Sequence, residues 1–250
     1  MERSEAMVTA RATFTDRIEP TDVAKMPTEY RDLLVRLLTI QADCEIGGPN
    51  VYGRRWFLNA PSADDMFRVT HILAEEIDHF RLMNGLLREI GVDRSELLYR
   101  CASERYVDAF RVTDVPTWAD VAAFCCLIDR VGRFQIEEMV GSSFKALDTV
   151  LPRIMQEELG HVGYGAARLA GLAADPVTHE DAQAAVNRWY PRALDSFGRT
   201  GSGRAERFIA WGLKHRLNEE ARRAYIAEVG PILTGMGLVV PDEDYNRHFQ

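Results

Sequence analysis

The sequence has no run of about 18 apolar residues, the length a membrane-spanning helix needs. Cysteine is scarce: Cys44, Cys101, Cys125 and Cys126 form no Cys-x-x-Cys pair, and the adjacent Cys125 and Cys126 are poorly placed to bridge each other. This argues against a disulfide framework and a thiolate metal site. Buried thiols in a reducing cytoplasm are the expectation. Positive charge is in deficit, with 30 Lys and Arg against 38 Asp and Glu and a net charge of −8, which argues against a general nucleic-acid surface. Strand-like alternation is nearly absent, and no segment of roughly 20 to 50 residues repeats. There is neither a Gly-x-Gly-x-x-Gly dinucleotide fingerprint nor a ferredoxin-type cysteine run. Residues Met1 to Phe14 are polar and lack the apolar centre of a secretion signal.

What is present is helical periodicity. The 250 residues, 46% of them apolar, can bury one large core. After Met26-Pro27-Thr28, apolar residues recur at helical spacing from Tyr30 to Ile40, and Gly47-Gly48-Pro49 reads as the end of that helix. A loop with Tyr52, Trp56 and Phe57 is expected up to Pro61. Ser62 with Asp65 reads as the N-cap of a second long helix, stopped at Gly91. A shorter helix is expected from Ser95 to Tyr106. Thr117, after Pro116, caps a third long helix, and a fourth begins around Pro152 and fades at Gly171. Further helices are expected over 181–197 and 206–229. The chain then divides into a loose lead-in over 1–25, an all-α domain over 26–229 with four long helices able to form a bundle plus peripheral helices, and an extended tail over 230–250.

Two short motifs carry the chemistry. Only two of the six histidines have Glu three residues before them: His79 with Glu76, and His161 with Glu158. Three residues are about 300° around a helix, so each pair presents an oxygen and a nitrogen donor on one face. Both pairs sit in helices whose neighbouring positions are apolar, and burying them without a partner is costly. A metal supplies the compensation. A two-metal centre in a bundle needs two more acids, from two other helices. Glu45 stands 31 positions before Glu76, and Asp129 stands 29 before Glu158, as two antiparallel hairpins would produce. Glu137 and Glu138 compete with Asp129 for the fourth place. Four carboxylates and two imidazoles suit iron or manganese better than zinc. Glu75 and Glu157 each precede a motif Glu, and are either acceptors for the imidazole N–H of the opposite pair or exposed acids. Gln41 and Arg133, one turn from Glu45 and Asp129, either line a pocket or pack.

These residues, with the segments around them, resemble the phenylacetate-degradation family of ferritin-like di-iron proteins. The matching elements are Met26-Pro27-Thr28-Glu29-Tyr30-Arg31, Glu45-Ile46-Gly47-Gly48, Ala60-Pro61-Ser62 and Glu75-Glu76-Ile77-Asp78-His79. Leu127-Ile128-Asp129-Arg130, Glu157-Glu158-Leu159-Gly160-His161, Trp211-Gly212-Leu213-Lys214 and Gly237-Leu238-Val239-Val240-Pro241 complete them. The resemblance implies a ferritin-like four-helix bundle with two iron ions. Its ligands would be Glu45, Glu76, His79, Asp129, Glu158 and His161, with Asp129 favoured over Glu138. It implies an enzyme that uses O2 to epoxidise or hydroxylate an aromatic or unsaturated acyl thioester such as a phenylacetyl-CoA-like compound. The catalytic type of subunit is favoured over the related type that lacks the ligands. Lys214 falls in a family slot that could meet a CoA phosphate, or is a solvated lysine.

Electrons would come from a separate reductase, because no flavin, nicotinamide or iron–sulfur motif is present. A related non-catalytic subunit or a second copy of the chain would be its protein partner. The competing readings are a tailoring oxygenase acting on another substrate in a natural-product pathway, a ferritin-like iron store, and a metal-free scaffold subunit.

Overall fold

The computed structural model describes residues 14–111 and 117–249, with backbone alone for 52–58. Among the described residues seven α-helices carry the fold: α1 Thr28–Asn59, α2 Ala63–Glu89, α3 Trp118–Glu137, α4 Leu147–Ala174, α5 His179–Ser196, α6 Gly203–Ala210 and α7 Asn218–Gly235. The protein is all-α, and the first four helices form a ferritin-like bundle. α1 packs on α2 and α3 on α4, the two hairpins face each other, and α5 and α7 cover α3 from outside.

The local chemistry accounts for most helix ends. Ser62 Oγ accepts the Asp65 backbone N–H at 3.1 Å and opens α2, while Gly91, at φ +81°, lets the chain leave it. At α3 the Thr117 hydroxyl accepts the Asp120 N–H and the Asp120 carboxylate accepts the Thr117 N–H, a reciprocal cap. Every residue from Ala119 to Val131 is buried, so α3 is the central helix, apolar around its circumference except where Asp120, Asp129 and Arg130 sit.

Several expectations are corrected. α1 does not end at Gly47-Gly48-Pro49; it runs on to Asn59. Pro49 has no N–H to donate, yet the helix survives because its core face is held against α2. The side chains of Tyr52, Trp56 and Phe57, and Pro116 with the lead-in up to residue 13, lie outside the described residues. The segment from Ser95 to Tyr106 is a series of 3-10 turns rather than a helix. α4 starts at Leu147, ahead of Pro152, which its first turns tolerate. The helix expected over 206–229 breaks at Gly212, whose φ is +65° and whose carbonyl accepts the Ser143 N–H at 2.7 Å. α7 continues to Gly235 through Pro231, because Leu233 is drawn into the core. Cys125 and Cys126 are buried and Cys44 half-buried, but Cys101 is exposed. No helix among the described residues is long and apolar enough to cross a membrane.

The hairpin of α3 and α4 depends on one glycine. A Cβ on Gly165 would stand 2.3 Å from the Cys126 backbone nitrogen and 2.6 Å from Cys125 Cβ. Backbone cannot yield as a side-chain tip can, so Gly165→Ala must push the two helices apart. We expect a loss of about 3 kcal/mol, read in urea or thermal unfolding. An unchanged midpoint would show that the helices can separate freely here.

Candidate metal centre

Four helices converge on one buried volume. Glu45 comes from α1, Glu76 and His79 from α2, Asp129 from α3, and Glu158 and His161 from α4; none is more than 6% exposed. Their donor atoms fall into two groups, each spanning no more than 4.8 Å: Glu45, Glu76, His79 and Glu158 in one, and Glu76, Asp129 and His161 in the other. Glu76 belongs to both. Glu158 also stands between the imidazoles, with Oε1 3.6 Å from His79 Nδ1 and Oε2 3.8 Å from His161 Nδ1. His79 Nδ1 lies 3.4 Å from Glu45 Oε2, and His161 Nδ1 lies 3.3 Å from Glu76 Oε1.

The histidines are oriented crosswise. His79 Nε2 donates to Glu157 of α4 at 2.7 Å, and His161 Nε2 donates to Glu75 of α2 at 2.9 Å. A carboxylate can only accept, so Nε2 of each ring carries a proton and Nδ1 is turned inward. Both Nδ1 atoms and Glu158 Oε2 are buried and make no hydrogen bond. Buried polar atoms are rarely left so. Inward-facing nitrogen and oxygen donors at these spacings are what a pair of divalent cations requires, and the site fits such a pair. Gln41 Nε2 donates to Glu45 Oε1 at 2.6 Å and fixes that carboxylate's rotation.

The electrostatics show the same need for positive charge. Burial pushes the Glu76 carboxyl well above the usual range, and the neighbouring Glu158 adds to this. Burial works against charge on His79, but the carboxylates of Glu158 and Glu45, 3.6 and 3.4 Å from Nδ1, outweigh it and push its pKa up to about 12. His161 is raised for the same reason, with burial opposed by Glu75 and Glu76. Glu75 is held below the usual range, chiefly by its hydrogen bond from His161. Replacing Glu157 with Ala, which leaves the His79 ring unheld, is expected to weaken metal binding about 10–100-fold. Glu157→Gln, which keeps an acceptor, should lose less. A chelator-competition titration with Co2+ checks this, and equal affinities in all three proteins would remove Glu157 from the site.

The remaining residues singled out from sequence are placed differently. Arg133 is not at the cluster: it donates to Glu137 and, at 2.6 Å, to Glu228 of α7, so an outer acid turns it away from the bundle centre. Glu138 is buried at the far end of α3, where it accepts the Arg216 N–H at 2.6 Å. Lys214 is half-buried on the wall of a cavity of about 330 Å³, its amine held below the ordinary range by burial. Arg36, Arg199 and Arg204 stand on that same wall. A smaller cavity of about 30 Å³ lies against Glu45, Glu76, Asp129 and Glu158. The two share Gln41, Val107, Gln135 and Ser196 as lining residues. Val107, Phe110 and Gln135 are cavity residues that sequence reasoning missed. Phe110 comes from the 3-10 turn Asp108–Arg111 and Val107 from the bend just before it, and such segments carry no periodicity to show which side faces inward.

Four helices that each give an inward acid, two of them with a histidine one turn on, define the class of ferritin-like carboxylate proteins with a buried site that could hold metal. Within that class the chain belongs to the phenylacetic acid catabolic protein family, whose model matches residues 7–249. It is 25% identical over 232 residues to one of the subunits of the 1,2-phenylacetyl-CoA epoxidase of Escherichia coli K12, a match that covers 91% of this chain and 74% of that one. It is 27% identical over 225 residues to the benzoyl-CoA oxygenase component B of Aromatoleum evansii, covering 78% of this chain but only 47% of that protein.

Proposed function

We propose that this protein is the metal-bearing subunit of a cytoplasmic di-iron oxygenase that inserts one oxygen atom from O2 into an aromatic or unsaturated acyl-CoA thioester, as an epoxide or a hydroxyl. The observation that carries the reading is the buried pair of donor groups sharing Glu76 in a chain whose relatives are named as parts of an epoxidase and of an oxygenase. The balance is one O2, two electrons and two protons per substrate, giving oxygenated thioester and one water. The electrons are assigned to a separate reductase. Bound iron would supply dioxygen activation; manganese is the alternative the donor set allows.

The chain's own residues do the rest. Glu75 and Glu157 hold the imidazoles with Nδ1 inward, and Gln41 holds Glu45. Val107, Phe110, Ile128 and Val131 make an apolar wall beside the carboxylates, which excludes water from the reacting carbon. Arg36, Arg199, Arg204 and Lys214 around the larger cavity offer the positive charge that CoA phosphates need, and the shared lining sets that cavity next to the one beside the cluster. An iron store has no use for an apolar wall beside its metals, and this favours the oxygenase.

The test is metal analysis followed by turnover. Purified protein loaded with iron should hold two ions per chain. With a reductase, 18O2 and phenylacetyl-CoA or benzoyl-CoA, it should release a thioester carrying one 18O. Iron bound in full, with no thioester oxygenated and no difference spectrum on adding one, would sink the thioester reading.

A further inference from the structure

The cavity beside the carboxylates is too small for the substrate class just proposed. Its volume is about 30 Å³, room for roughly two waters, whereas a pocket that takes benzene has on the order of 150 Å³. Some part of its wall must move if an aromatic group is to reach the cluster. Most of the wall cannot: Glu45, Gly48, Glu76, Ile128, Asp129, Val131, Gly132 and Glu158 belong to the bundle helices.

Phe110 is different. It lies on the 3-10 turn Asp108–Arg111, outside every bundle helix, so its side chain can leave without moving one. Its ring lies against the α1 backbone at Gly47, where a Cβ would be 2.7 Å from Phe110 Cγ and 2.8 Å from Cδ1. Glycine is disfavoured in a helix interior, and here it is what leaves room for the ring. Gly47 stands two residues after Glu45, and the next residue, Gly48, lines the cavity. On its other side Phe110 meets Phe124 edge-on, with centroids 6.0 Å apart, and Phe124 meets Trp189 at 4.9 Å. The ring therefore fills an aromatic-sized space bounded by a glycine notch, another aromatic ring and the carboxylate cavity.

We propose that Phe110, seated against Gly47, determines which apolar groups can stand beside the metal centre, and that a substrate's ring displaces it from that space. The size limit rests on the thioester reading; the occupied space does not. The experiment therefore has arms that separate the two. Metal-free wild type and Phe110→Ala are heated with and without benzene. The variant should gain about 2 °C or more in Tm, and the wild type nothing measurable. With Co2+ bound, benzene should change the visible spectrum of the variant and leave that of the wild type alone.

Failure of benzene to stabilise the variant, or stabilisation with an unchanged cobalt spectrum, overturns the proposal, because the vacated space would then not open on the cluster. If Phe110→Ala does not fold, Phe110→Leu replaces it, with smaller shifts expected in the same direction. In the reconstituted enzyme, Phe110→Ala should raise kcat/KM for naphthylacetyl-CoA relative to phenylacetyl-CoA by roughly tenfold. An unchanged ranking overturns the size-limit role. Absence of all turnover in the wild type counts against the oxygenase reading, while the benzene and cobalt results still decide the place of Phe110.

Discussion

Glu76→Ala is expected to yield a folded protein that holds no metal pair. Glu76 offers a donor to both groups, so its loss removes a ligand from each ion at once. His161→Ala removes the only imidazole of the second group and should fail in the same way. The affinity lost should be roughly 100-fold or more, since even an outer partner of a ligand is worth 10–100-fold. The fold should not be lost with it. The Glu76 carboxyl is buried and beside Glu158, which already disfavours its charge, so in the metal-free protein its removal relieves a strain on the bundle. Metal analysis and thermal unfolding together check this. Metal should raise the Tm of the wild type and leave both variants unmoved. Full iron in both variants would strike Glu76 and His161 from the ligand set.

Asp43→Ala should instead cost stability, about 3–5 kcal/mol, out of the roughly 5–15 kcal/mol that a domain of this kind has in total. Asp43 is fully buried on α1 and accepts from Arg105 Nη1 at 2.8 Å and from the Tyr106 N–H at 2.8 Å. Arg105 is itself 1% exposed and gives its other bonds to the Leu97 and Arg100 carbonyls. Removing the carboxylate would leave a guanidinium and an amide N–H buried with too few acceptors, which is why the penalty exceeds that of a surface pair. Adding Arg105→Met to the same protein should recover part of the loss, because the uncompensated charge goes with it. Urea unfolding reads both. A loss below about 1 kcal/mol in the single variant would mean water reaches Arg105. The tie also matters for the site: it anchors to α1 the turns that carry Val107 and Phe110 to the metal-side cavity.

Much of this molecule was legible before any coordinate. The 3.6-residue period placed the long helices, and Ser62, Thr117 and Gly91 marked their ends, because capping is a matter of a few neighbouring residues. The spacing of Glu76 to His79 and of Glu158 to His161 fixed that each pair faces one direction, for the same reason. Punctuation by glycine and proline misled at Gly47-Gly48-Pro49. There the local cost of breaking helical rules is outweighed by burial against α2, and Gly47 serves the close approach of Phe110 instead of a turn.

By itself, then, the sequence determined which side chains share a helix face, and with that an all-α bundle and the two Glu-x-x-His pairs, while Glu45 and Asp129 rested on their offsets and on the family resemblance. Only the tertiary structure decided that Glu76 is common to both donor groups, that Glu75 and Glu157 reach across to the opposite histidine, and that Arg133 turns outward to Glu228. Direction along a helix is set by backbone geometry within one turn. Which carboxylate is shared depends on the separation and register of two helix axes, and these follow from how the whole core packs.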